Sequence, residues 1–175
     1  TNNGGLQAQI ANPKFKVKKT YWAQVEGVPS EDALNQLRRG VDLGDFVTRP
    51  AKVRILAEEE YAQLWERNPP IRVRKSIPDT WIEVQISEGK NRQVRRMTAK
   101  IGHPTLRLIR ARIGDFNLAD LALGKWRLAT AREIEAVLPV TFNTRRQPQS
   151  AGYAGKARTM TSARTNKHVV DQKRK

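Results

Sequence analysis

Between Trp81 and Gly102 the spacing of apolar residues changes once, and that change restricts what the chain can fold into. Ile82, Val84 and Ile86 recur at every second position, with Glu83, Gln85 and Ser87 between them. Such alternation is a strand that offers one face to a core. After Gly89 the period lengthens, and Val94, Met97 and Ile101 gather on one side of a helix at roughly 100° per residue. Arg92, Arg96 and Lys100 fall opposite, with Arg95 on the flank, and Gly102 suits the position that ends a helix. The cationic side has two readings: a solvated surface, or one that meets phosphate.

The same two periods mark out further elements. Thr20–Val28 alternates Tyr21, Ala23 and Val25 against Thr20, Trp22 and Gln24, as a half-buried strand would. Pro29-Ser30-Glu31-Asp32 opens a helix, with Ser30 as N-cap and two acids in the positive first turn; Gly40 closes it. Ala51–Ala57 alternates through Val53 and Ile55. Leu106–Ile113 has strand composition, but its apolar phase passes from Leu106 and Leu108 to Ile109 and Ile113, so both faces are expected to make contacts. Trp126–Ala129 is predicted as a short strand. Thr130-Ala131-Arg132-Glu133 fits a capping box leading into Ile134, Val137 and Leu138, and Pro139 ends that helix. Strands separated by single helices, with connections of differing length, predict an α+β layer structure rather than a doubly wound sheet.

Charge points to the class of partner. The chain of 175 residues carries 33 Lys+Arg against 17 Asp+Glu, a net charge of +16. A surplus of that size attracts polyanions, nucleic acid first and an anionic membrane surface second. Residues 141–175 hold nine Lys or Arg and the single acid Asp171, among Thr, Ser, Gln, Asn and Ala. Too few apolar residues lie there to offset the entropy of ordering, so a disordered basic tail is predicted. It is either a nucleic-acid-grasping arm or a solubilising extension. Residues 1–140 keep the remaining 24 cations and 16 acids and are expected to fold as one domain.

Other chemistries fit poorly. Without cysteine there is no thiol nucleophile, disulfide or thiolate zinc site, and His103 and His168 are too few for a histidine metal cluster. A metal-free chain is expected. No apolar run is long enough to span a bilayer and no leader opens the chain, which predicts a cytoplasmic protein. Glycine-rich phosphate loops of the G-x-x-x-x-G-K-[ST] or G-x-G-x-x-G kind do not occur, which argues against nucleotide hydrolysis and dinucleotide redox chemistry.

From Arg67 to Arg112 there are twelve Lys or Arg and three acids, Asp79, Glu83 and Glu88. Phosphate contacts of this kind position a protein on nucleic acid without reading sequence. Arg72, Arg74 and Lys75 follow Pro69-Pro70 in what reads as a stiff extended loop, either presenting cations or merely connecting elements. Trp65 and Trp81 suit base stacking or, more commonly, core burial. Tyr21 begins a strand after Lys16, Lys18 and Lys19, where a ring could stack on an extruded base; taken alone it is an ordinary core tyrosine. On composition alone, a ribosomal or DNA-associated basic protein is a rival reading.

Several segments agree in order and spacing with one family. Thr1-Asn2-Asn3-Gly4, Lys19-Thr20-Tyr21, Arg67-Asn68-Pro69-Pro70-Ile71-Arg72, Arg74-Lys75-Ser76-Ile77-Pro78, Glu88–Met97 and Pro104–Arg110 resemble pseudouridine synthases of the RsuA type. Within it they most resemble the E-type branch, which modifies large-subunit ribosomal RNA. The resemblance covers Thr1 to Leu138 and implies a pseudouridine-synthase-like mixed or antiparallel sheet flanked by helices, forming a catalytic domain over 1–140. It also implies isomerisation of a uridine in ribosomal RNA: the base leaves C1′, turns, and is rejoined through C5, with no cofactor or metal. Tyr21 would pack on the flipped uracil, and Arg95 would pair with a catalytic aspartate. An arginine nearby keeps such a carboxylate ionised, and a negative group suits a reaction that builds positive character at C1′. RNA contacts would fall to Lys19, Arg72, Arg74, Lys75, Lys90, Asn91, Arg92, Gln93, Arg96, Arg107 and Arg110. A monomer acting on ribosomal RNA, away from membranes, is expected.

The chain departs from that pattern at one point. The family's aspartate belongs to a Gly-Arg-Leu-Asp motif just ahead of the Thr-Asn-Asn-Gly segment, and none of Asp32, Asp42, Asp45, Asp79, Asp115 or Asp120 sits in such a motif. The 175 residues are therefore expected to be truncated at the N-terminus and inactive by themselves. The alternative is a truncated, catalytically inactive RNA-binding protein.

Overall fold

The computed structural model describes residues 1–71, 77–118 and 121–137. Arg72, Arg74, Lys75, Asp120, the end of the last predicted helix at Leu138 and Pro139, and the tail 141–175 lie outside the described residues. Along the chain run α1 (Gly4–Ala11), β1 (Lys19–Glu26), α2 (Glu31–Arg39), β2 (Lys52–Ile55), α3 (Glu58–Tyr61), β3 (Asp79–Ile86), α4 (Gln93–Lys100), β4 (Thr105–Ile113), β5 (Phe116–Asn117) and α5 (Ala131–Val137). The five strands form one sheet in the order β2-β3-β1-β4-β5, and every pairing is antiparallel. An α+β architecture with an antiparallel sheet agrees with the expectation.

Both faces of the sheet are covered, by different means. On one face Ala23, Val25, Ile82, Val84 and Ile86 pack against Leu34 and Leu37 of α2 and Val94 and Met97 of α4. The 3.6-residue period of those helices puts these side chains on a single stripe. Ser30 caps α2 as predicted, its hydroxyl accepting from the Ala33 N–H at 3.2 Å. On the other face Leu56, Trp81 and Ile109 are buried, with Trp22, Tyr61, Leu64 and Trp65 packed around them. Trp81 stacks on Tyr61 with ring centroids 5.3 Å apart, so its role is core packing. The phase switch in β4 has its cause here: Leu108 packs against the first cluster and Ile109 belongs to the second.

The β1–β4 pairing slips by one residue beside Tyr21. Thr20 faces Arg112 and Tyr21 faces Arg110, which leaves Ala111 as the extra residue of a bulge. Bulges re-aim neighbouring side chains and are frequent at the rims of sites.

Two local readings need correction. Trp126–Ala129 forms no strand; Trp126 and Leu128 are 80% and 81% exposed and the segment has no partner in the sheet. A strand needs a neighbour to satisfy its backbone groups, and the sheet instead ends on the two-residue β5, folded back against β4 through Gly114. Helix α1 is not among the predicted elements. Its Asn3 cap accepts from the Leu6 N–H at 3.0 Å, but it buries only Gln9 and has no apolar stripe to announce it. The capping box at Thr130–Glu133 does form: the Thr130 N–H reaches the Glu133 carboxylate at 2.8 Å and the Glu133 N–H reaches the Thr130 hydroxyl at 3.2 Å.

Candidate functional site

Where β1 begins, a cleft of about 350 Å³ opens between β1, β4, the end of α1 and the turn leading into α4. Its lining includes Lys19, Tyr21, Lys90, Arg92, Gln93 and Arg110. Among the described residues four of the lining side chains are cations, and none is an Asp or Glu. The strand register explains the gathering. Tyr21 and Arg110 are paired neighbours on one face of the sheet, and the Arg110 guanidinium lies 5.5 Å from the Tyr21 ring centroid. A cation so placed is attracted by the ring quadrupole.

Lys19 is buried, and its ammonium donates to the Val17 carbonyl at 3.2 Å. Burial first, and the Arg110 charge second, lower its pKa from the ordinary lysine value. A buried cation that no acid pairs with among the described residues makes the cleft receptive to an anion. Arg92 enters from the α4 side, exposed and in the left-handed backbone region at φ 49°. Asn91 beside it is exposed.

Lys90 is held by a residue with no motif to identify it. Its Nζ sits 3.8 Å above the Phe46 ring, and the Arg96 guanidinium lies 5.3 Å from the same ring. Arg96 also binds the Asp45 carboxylate and donates to the Leu43 carbonyl at 3.0 Å. The loop between α2 and β2 thus arranges two cations of the α4 region, from more than 40 residues away in sequence. Nothing local in that loop reports the contact.

Arg95 and Arg107 stand apart from the cleft lining. The half-buried Arg95 donates to the Thr105 carbonyl at 3.0 Å, and among the described residues no carboxylate pairs with it. Burial first, then the charges of Arg92 and Arg67, lower its pKa. Arg107 donates to the Trp65 carbonyl and lies 5.4 and 5.6 Å from the Trp65 and Trp81 rings. Burial and the Arg67 charge lower its pKa in turn.

A larger hollow of about 450 Å³ lies on the opposite face, between Trp22, Leu64, Trp65, Ile109 and Leu118. Among the described residues its lining carries one cation, Arg112, and one acid, Glu83, which is already engaged by the Trp22 indole N–H at 3.1 Å and by Arg54. The Tyr21 cleft is the better match to a polyanion. Among the described residues no three His, Asp or Glu come together to hold a metal ion, and no helix is long and apolar enough to cross a membrane.

Comparison with known proteins follows the same lines. Residues 1–100 match the family model described as RNA pseudouridylate synthase. A ribosomal large subunit pseudouridine synthase E of Vibrio vulnificus is 57% identical over 127 residues, covering 73% of this chain and 53% of the relative. The protein of that name from Xanthomonas campestris is 54% identical over 134 residues, covering 77% of this chain and 71% of its own length. A solved pseudouridylate synthase superposes with a TM-score of 0.63 at 29% identity, over 79% of this chain and 52% of that one. The chain spans about half the length of the Vibrio relatives it matches.

Proposed function

The chain belongs to the RNA pseudouridylate synthase family, and from that premise we propose that its cleft receives an unpaired uridine of ribosomal RNA for isomerisation to pseudouridine. One observation carries the reading: the Tyr21 ring shares its cleft with Lys19, Lys90, Arg92 and Arg110 and, among the described residues, with no carboxylate. The uracil stacks on Tyr21, and the flanking phosphates meet the cations. The names of the Vibrio and Xanthomonas relatives favour large-subunit RNA as the substrate. In this reading the chain is a cytoplasmic monomer, residues 1–140 form the catalytic part, and 141–175 grip RNA.

Detaching a base from C1′ builds positive charge on the sugar, which a nearby carboxylate stabilises. None lines the cleft or pairs with Arg95 among the described residues. We place that carboxylate outside the described residues, held by Arg95. The Arg92 and Arg67 charges both repel Arg95, which suits this position to one negative group.

The test compares two proteins. The 175 residues are expected to bind an RNA hairpin with an unpaired loop uridine more tightly than duplex DNA, and to form no pseudouridine detectable by mass spectrometry. The same chain extended by the family's Gly-Arg-Leu-Asp segment is expected to turn over. Equal affinity for duplex DNA would refute the cleft reading. Turnover by the unextended chain would refute the external carboxylate, and binding without turnover by the extended one would leave an RNA-binding protein.

Removing 141–175, with its nine Lys or Arg, tests the tail separately. The log–log dependence of RNA affinity on salt is expected to flatten by about 0.7 for each single-strand phosphate that the shortened chain no longer neutralises. An unchanged slope would make the tail inert in binding.

A further inference from the structure

Lys90 and Arg92 reach the cleft from a short turn, Gly89–Arg92, whose geometry has to be imposed. Arg92 is a non-glycine residue in the left-handed region, and no side chain of its own caps the helix it opens. Two buried polar side chains lie against this turn. Glu88 is 8% exposed and Gln93 is 3% exposed. The Gln93 Nε2 donates to Glu88 Oε2 at 2.6 Å, and its Oε1 accepts from the Lys90 N–H at 3.1 Å. The Gln93 N–H returns to the Lys90 carbonyl at 3.1 Å, closing a ring around the turn. The same Glu88 oxygen accepts from the Arg49 N–H at 3.1 Å, and the Arg49 Nε lies 3.8 Å from the other oxygen. A carboxylate buried this deeply is tolerated because hydrogen bonds and a cation meet it.

We propose that Glu88 and Gln93 act as a clamp that fixes the aim of Lys90 and Arg92 into the cleft, with Gln93 a positioning residue rather than an RNA contact. The amide of Gln93 is engaged through its oxygen and one of its N–H groups inside the protein, and with the residue 3% exposed little of it is left to meet phosphate. Glu88 anchors the clamp to the loop ahead of β2 through Arg49, so the turn is fixed from two sides. The inference rests on the uridine reading only where RNA affinity is the readout.

The experiment uses the whole chain and an RNA hairpin with an unpaired loop uridine. Q93E sets a second carboxylate against Glu88 and removes the donor, and is expected to weaken RNA binding about tenfold. E88Q/Q93E restores a donor opposite an acceptor between the two side chains but turns an NH2 toward the Arg49 N–H, and is expected to recover part of the loss. In a K90A/R92A background, Q93E is expected to add nothing, because the groups it aims are gone. Amide hydrogen exchange at Lys90 is expected to accelerate in Q93E and to recover in part in the double variant, with no RNA present. Unchanged Lys90 protection in Q93E overturns the clamp. Wild-type affinity in Q93E, or the same loss in the K90A/R92A background, overturns the positioning role. A wild-type chain that does not bind the hairpin overturns the uridine reading, and the exchange result still decides the clamp.

Discussion

Replacing Arg95 with alanine, in a protein that carries this chain together with the family's Gly-Arg-Leu-Asp segment, is expected to lower kcat by on the order of 10²–10³-fold, the range lost when one preorganised electrostatic group is removed from an active site. RNA affinity should stay within about threefold, since Arg95 is absent from the cleft lining and a single rim contact contributes little. The expectation comes from the arginine's surroundings. Its half-buried guanidinium has a backbone carbonyl as hydrogen-bond partner, and its pKa is depressed first by burial and then by two cations, Arg92 and Arg67. A carboxylate arriving there removes that repulsion and is itself held ionised and oriented. Lysine should rescue poorly, because a point charge cannot reproduce a two-pronged grip. Single-turnover kinetics beside equilibrium binding decide the matter: equal losses in rate and affinity would make Arg95 a phosphate contact and remove it from the chemistry.

Gly40→Ala is expected to cost the folded state about 3 kcal/mol, from a positive φ that disfavours any side chain together with overpacking against backbone. Gly40 ends α2 at φ +104°, and a Cβ there would lie 2.4 Å from the Thr48 carbonyl oxygen. That carbonyl cannot give way cheaply. Thr48 is buried, its N–H donates to the Val41 carbonyl at 2.9 Å, and its hydroxyl accepts from the Val41 N–H at 3.0 Å. The melting temperature should fall by about 10 °C. The loop closed by these bonds carries Phe46 and Asp45, so partial relaxation should also release Lys90 and Arg96. A variant that melts like the wild type would show that the loop adjusts freely, and the close approach would lose its importance.

The parts of this molecule that could be read in advance are those whose information is local. Ile82, Val84 and Ile86 needed only a period of two, and Val94 with Met97 only a period of 3.6. Ser30 and the Thr130–Glu133 pair declared helix starts through side chains that reach three residues along the chain. Trp126–Ala129 looked like a strand because composition reports what a segment tolerates, not whether a neighbouring edge is available to it. Helix α1 lacked the stripe that would have marked it. The site divides the same way. Tyr21, Lys19, Arg92 and Arg110 belong to motifs and meet in one cleft. Phe46, Asp45 and Arg49 act on that cleft across 39 to 51 residues, through contacts no short window contains.

The strand order also bears on how the chain is made. Strand β1 is central, yet both of its neighbours are synthesised much later: Glu26 waits for Asp79 and Lys19 for Ile113. At ribosomal speeds of about 5–20 residues per second, the 94 residues from Thr20 to Ile113 take about 5–20 s to emerge. Until β3 emerges Ala23 and Val25 have no strand to join, and until β4 follows β1 lacks its second neighbour, so the nascent polypeptide should be a chaperone client until β4 has left the exit tunnel, and its refolding from denaturant should be slow for its size.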